Sequence, residues 1–251
     1  MLSYTAAELL PFIGIGFAAQ LIDGALGMAF GVISTTLLIS IGVPPAAASA
    51  GGHTVEAFTT GASGLSHIAH RNVDWRLFLK LAVPGVIGGV LGAYVLTQID
   101  AASVKPFVLA YLGVIGIFLV WRGMTYTTSV KKVRAVRPLG LAGGFLDAAG
   151  GGGWGPIVTG NLLIQGTDPR KTIGTVNSVE FVLTLCIAST FIATLGWQTF
   201  TVATLGLLLG GVIAAPLAAR VACKAHPKLL LTMVGSVLAI TSLFGTYHAA
   251  V

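Results

Sequence analysis

The chain has 251 residues, of which 14 are Lys or Arg and 8 are Asp or Glu, so that 9% are charged, where an ordinary soluble domain carries about 25%. Hydrophobic residues make up 55%, there are 34 glycines, and the mean hydropathy is +0.92. So few charges cannot cover a 25.6 kDa globule, which excludes a water-soluble monomer; a disordered chain has the opposite composition.

The sequence is therefore that of an integral membrane protein. Its net charge of +6 does not indicate a nucleic-acid partner, because most of the basic residues sit in short connections between apolar stretches, where cytoplasmic loops need Lys and Arg. Cys186 and Cys223 lie in or beside apolar segments and indicate no disulfide framework. The first ten residues carry Glu8 and no cation, unlike a cleaved signal peptide, so the chain is expected to insert as it stands.

A spanning helix needs about 20 apolar residues. In chain order, the opening run reaches residue 22, and a glycine-dense run follows over 25–43. Three ordinary spans come next, at 46–69, 77–99 and 106–121. After a basic linker the pattern restarts with two stretches too short to span, 138–146 and 154–164, and then 172–195, 200–222 and 229–247. Each half is thus two helices around a Gly-rich break followed by three spans.

The halves are copies. Asp23 and Asp147 are 124 apart, and that offset holds without a gap from 23–61 to 147–185, with 12 of 39 pairs identical, Glu56/Glu180 among them. Past a two-residue slip the match resumes with Trp75/Trp197 and Gly88-Gly89/Gly210-Gly211, which makes this an internal repeat. The domains read as a first repeat over 1–124, a cytoplasmic basic linker over 125–137 and a second repeat over 138–251.

Equivalent loops differ in charge. Arg71, Asp74 and Arg76 face an uncharged counterpart at 196–198, whereas 43–45 is uncharged and its counterpart holds Arg170 and Lys171. If positive loops stay inside, the copies are inverted, and an odd number of segments per half requires the same. Both termini are then expected outside. The fold class is an all-α integral membrane protein with two inverted-topology repeats, each a Gly-broken, re-entrant-like helix pair followed by three transmembrane helices. That is the pattern of secondary transporters, whose unwound backbone must be buried in protein or line a polar cavity.

Glu56 and Glu180 fall near the middle of their spans, where a lone carboxylate costs at least about 2.5 kcal/mol unless it is protonated, paired or hydrated. A polar stripe at helical spacing surrounds each: Ser49, Gly52, His53 and Thr60 in one half, Asn177 and Thr184 in the other. Asp23 and Asp147 precede the glycine-rich turns and either cap the following helix or act with the glutamates on a coupling ion. Gly27, Gly31, Gly151 and Gly155 let backbone N–H groups and helix N-termini face an anion. With no Arg or Lys at mid-span, the candidate anion ligands are these glycines, His53, Thr54, Asn177, Ser178 and Trp154; Glu56, Glu180, Asp23 and Asp147 are the candidate coupling-ion residues. His67 and His70 read as interfacial rather than metal-ligating. Zinc-protease, hydrolase-elbow and phosphate-loop motifs are absent, so no cofactor and no enzyme activity are expected.

The segments Asp23-Gly-Ala-Leu-Gly-Met28, 61–75 ending in Asn72-Val-Asp-Trp75, and Gly150-Gly-Gly-Gly-Trp-Gly-Pro156 resemble the TauE/SafE sulfite exporter (TSUP) family over almost the whole chain. The resemblance implies a multi-pass transporter of the bacterial inner membrane for sulfur-containing anions: sulfite, thiosulfate, organosulfonates or sulfur-bearing carboxylates. Small hydroxyl residues are common in that family where this chain has His53, Glu56, Asn177 and Glu180, which marks a subgroup with its own substrate or coupling ion. The expectation is an anion carrier coupled to H⁺ or Na⁺. The alternatives are a passive anion channel with structural carboxylates and an intramembrane enzyme.

Overall fold

The computed structural model describes residues 6–26, 30–125, 134–165, 167–197 and 202–222, with 228, 232, 235–236, 239–240 and 242–243. Gly27, most of the basic linker and most of the segment expected at 229–247 lie outside the described residues. Regular structure among the described residues is helical. The helices are α1 (Ala6–Leu26), α2 (Phe30–Ser40), α3 (Pro45–Ala69), α4 (Trp75–Gln98), α5 (Ala101–Thr125) and α6 (Val136–Gly150). A π-helical turn (Gly155–Thr159) then leads into α7 (Gly160–Ile164), followed by α8 (Pro169–Leu195) and α9 (Val202–Ala222). As expected, α6 and α7 are short; α2 is short as well. Among the described residues Trp75–Gln98, Lys105–Thr125 and Lys171–Leu195 are long and apolar enough to cross a membrane, whereas the expected spans at the opening run and at 46–69 do not reach that mark.

Helix starts follow from local chemistry. Asp74 Oδ1 accepts from the N–H groups of Arg76 and Leu77 at 2.9 and 3.2 Å, and Asp168 Oδ1 accepts from Lys171 N at 2.8 Å with Pro169 in the first turn. These are ordinary N-caps that satisfy otherwise unpaired donors. The second break needs glycine for a different reason: Gly151, Gly152 and Gly153 have φ of 75°, 137° and 139°, values that a residue with a Cβ rarely adopts.

Lipid is as apolar as leucine, so helices in a membrane associate through close packing rather than hydrophobic burial. Here that packing runs through glycine. Gly88 and Gly92 of α4 lie against the backbone of Leu141 and Phe145 on α6, and Gly144 of α6 lies against Gly85. Gly206 and Gly210 of α9 lie in the same way against Phe12, Ile13 and Phe17 of α1. Long helices α3 and α8 cross at the centre, where Gly61 meets the Phe181 ring and Gly64 meets Ser178. Leu79, Val83, Ile87, Val114 and Ile117 remain exposed on the outer faces of α4 and α5, an apolar surface that fits a lipid environment and not water.

Candidate functional site

The second break meets the start of α2. Gly152 lies directly against Gly31 and Val32, at the N-terminus of α2, and Gly151 lies against the side chain of Thr35. Around this contact α1, α3, α6 and α8 bring Asp23, Glu56 with His53, Asp147 and Glu180. The carboxyl groups of Asp23, Asp147 and Glu56 are all within Coulombic reach of Glu180. Four acids and one imidazole therefore come together, all buried except the half-buried Asp23. His53 is 1% exposed, Glu56 6% and Glu180 8%.

Both aspartates close their breaks in the same way. Phe30 N–H donates to Asp23 Oδ1 at 3.2 Å, and Trp154 N–H donates to Asp147 Oδ1 at 2.8 Å. The capping expected from sequence is thus present at equivalent positions. Asp147 has a second partner: His53 Nε2 lies 3.0 Å from its Oδ2. His53 Nδ1 lies 2.7 Å from the Ser49 carbonyl oxygen, while Ser49 Oγ donates to Ala148 O at 2.9 Å. Both ring nitrogens face acceptors, which is the pattern of an imidazolium in a charge-assisted pair. Among the described residues Asp23 has no such partner, and Asn177, which occupies the equivalent place to His53, donates instead to Ser63 Oγ at 3.2 Å.

Glu56 reaches across to α2, where its Oε1 accepts the Gly31 N–H at 2.9 Å. Its repeat mate differs. Among the described residues nothing hydrogen-bonds the Glu180 carboxyl, and Gly155, equivalent to Gly31, opens a π-helical turn instead of an α-helical one.

The other expected residues are dispersed. Ser178 Oγ donates to Gly174 O, and its backbone faces Gly64. Thr54 Oγ1 donates to Ala50 O, and the residue lines an apolar groove of about 400 Å³ between α3 and α8, with Phe58, Phe181, Leu185 and Trp197. Trp154 is fully buried, its ring wedged against Gly85 and Gly143. Its backbone reaches the cluster; its ring fills a packing notch. Sequence reasoning missed Tyr111, whose hydroxyl donates to Gly152 O at 3.2 Å, and Thr35. A lone tyrosine in an apolar span carries no pattern, and its repeat partner is Met233.

The family described as sulfite exporter TauE/SafE matches residues 12–244. The "Probable membrane transporter protein YtnM" of Bacillus subtilis (strain 168) is 42% identical over 237 residues, covering 91% of this chain and 79% of that protein. No solved structure matches the chain. Matches of this extent assign a multi-pass membrane transporter rather than an enzyme, and the chain belongs to the TauE/SafE sulfite exporter family.

Proposed function

We propose that this transporter is a secondary carrier for a small sulfur-containing anion (sulfite, thiosulfate, an organosulfonate or a related sulfur-bearing carboxylate), moved across the bacterial inner membrane by alternating access and coupled to H⁺ or Na⁺. The observation that carries this reading is the junction of the two breaks: Gly152 against Gly31, with Glu56, Glu180, Asp23, Asp147 and His53 around it. Intramembrane carboxylates of this kind mark ion pathways, and paired breaks at a repeat interface are where carriers hold substrate and coupling ion. The family name supplies the anion class.

Inverted repeats are supported by the packing. The contact of α4 with α6 and the contact of α9 with α1 are the same contact with the halves exchanged, each built on the repeat-related glycines 88 and 210. The sidedness is supported by loop contacts. Lys171 Nζ donates to Arg71 O at 2.7 Å and Asp74 N–H donates to Thr175 Oγ1 at 2.8 Å, so the two basic connections share one face. The domain division at the linker follows from the same symmetry. Direct backbone contact between the breaks favours a carrier that opens alternately over a permanently open channel.

The test is transport in proteoliposomes of purified protein, with sulfite, thiosulfate, taurine and sulfoacetate offered under imposed pH and Na⁺ gradients. Uphill accumulation of one anion driven by one of the two gradients is expected, and the double variant Glu56→Gln/Glu180→Gln should fold yet lose the coupling. Flux that follows the anion gradient alone would replace the carrier with a passive path. Absence of flux for all four anions would discard the substrate class.

A further inference from the structure

We propose that Glu56 is a tethered stand-in for the transported anion: its carboxylate occupies the substrate's seat at the N-terminus of α2 and must leave that seat, carrying a proton, before the anion can enter. This rests on the carrier reading above and deepens it.

Unpaired N–H groups at a helix start attract an anion. In α2 the first such group among the described residues, Phe30 N–H, is already capped by Asp23 from α1. The next, Gly31 N–H, is taken by a carboxylate from a different helix, 25 residues further along the chain. Asp74, Asp100, Asp147 and Asp168 each cap an adjacent helix start from a few residues away. Among the described residues Glu56 is the one carboxylate that does so across a helix–helix interface, in a cluster that already holds an excess of acids.

A second observation points to a ligand at the same place. Ser34 Oγ donates to Phe30 O and Thr36 Oγ1 to Val32 O, at 2.7 and 2.6 Å. Between them Thr35, only 1% exposed, has a hydroxyl with no partner among the described residues, lying between Gly52 of α3 and Gly151 of the break that covers Gly31. Its repeat mate Thr159 is in the same condition. Leaving a buried hydroxyl unpaired is costly, and two such hydroxyls at equivalent positions mark a place that a bound oxyanion completes.

The two repeats differ at this point: Glu56 holds the Gly31 N–H, whereas among the described residues no hydrogen bond reaches the Glu180 carboxyl. Charge balances only if anion and proton move together. An anion entering the seat adds at least one negative charge, and the proton taken by the departing Glu56 carboxylate offsets one of them. The groups facing Glu56 are His53 on its own helix, Asp23 from α1, Asp147 from α6 and Glu180 from α8; α2 contributes no titratable side chain. One imidazolium against these acids cannot offset an additional anion. The coupling is therefore symport, one proton accompanying each anion through this seat.

The experiment follows anion affinity and flux against pH in the wild type, Glu56→Gln and Glu56→Ala, with sulfite and thiosulfate as probes and formate as a free carboxylate. In the wild type the apparent affinity should weaken about tenfold per pH unit on the alkaline side, as one linked proton requires. Glu56→Gln should bind at least about tenfold more tightly at alkaline pH, lose that slope, and pass the anion downhill without proton movement. Formate should raise the melting temperature of Glu56→Ala more than that of the wild type, by filling the vacated seat. A wild-type pH slope in Glu56→Gln measured with thiosulfate, whose own charge is constant in this range, or no extra formate effect in Glu56→Ala, overturns the proposal. If the wild type binds neither sulfur anion while Glu56→Ala gains the formate effect, the seat stands and the substrate class falls.

Discussion

His53 and Asp147, 94 residues apart, pair at 3.0 Å across the junction of the two halves, and this is the one cross-repeat ion pair among the described residues. The pair is almost completely buried, so removing one partner strands the other in a medium that cannot solvate it. Replacing His53 with Asn, the residue the second half carries at 177, should cost about 3 kcal/mol, typical for breaking a buried pair. Asp147→Asn should cost a similar amount, and the double variant less than the sum. A double-mutant cycle on melting in detergent measures the coupling; additive losses would show that the pair contributes nothing as a pair.

Thr35→Val and Thr36→Val should separate a ligand hydroxyl from a structural one. Thr36 gives up a hydrogen bond to Val32 O, which costs about 1 kcal/mol. Thr35 gives up no partner, so its replacement should leave stability unchanged or slightly improved while weakening anion binding. Melting curves with and without the transported anion distinguish the two. Equal destabilisation by both substitutions would mean that Thr35 has a structural partner.

Gly152→Ala tests the junction of the breaks. The residue sits at φ 137°, and a Cβ there would run into Val32 N and the Gly31 carbonyl carbon. Strained backbone of this kind costs about 1–3 kcal/mol before any displacement of α2 is counted. Loss of transport together with a large fall in melting temperature is expected. Gly14→Ala, where nothing lies within 4 Å of the added carbon, should be neutral or slightly stabilising in the same helix-rich background. If both substitutions behave alike, the breaks do not touch as described.

The chain announces its membrane nature, its repeat and its two breaks, because these depend on composition and on spacing along the chain. The central acids were legible for the same reason: Glu56, Glu180, Asp23 and Asp147 recur at one offset. What each polar group touches was not. Thr54 follows His53 in sequence, but successive residues on a helix point about 100° apart, so one reaches Asp147 and the other faces an apolar groove. In lipid the outward face of a helix is as apolar as its packed face, and no polar side remains to show how it is turned. Asn177 and His53 occupy equivalent positions yet choose Ser63 and Asp147, since a repeat fixes a place along a helix and not the neighbour across it. Tyr111 on Gly152 was invisible because its significance lies wholly in that neighbour.

The sidedness of the protein can be tested independently of transport. The connections at 70–74 and 165–168 are held together through Lys171–Arg71 and Asp74–Thr175, so they must lie on one membrane face. The proposed orientation, in which positive loops stay inside, predicts that this face is cytoplasmic. The α4–α5 connection, at Ile99 and Asp100, lies one spanning helix away and must be on the opposite face. In a background with Cys186 and Cys223 replaced, Arg76→Cys should react with a membrane-impermeant maleimide only after the cytoplasmic side is opened. Asp100→Cys should react in intact spheroplasts, since the residue is exposed. The reverse labelling would invert the orientation while keeping the fold. Labelling of both sites from one side would mean that α4 does not cross the membrane, which its 24 residues and apolar composition argue against.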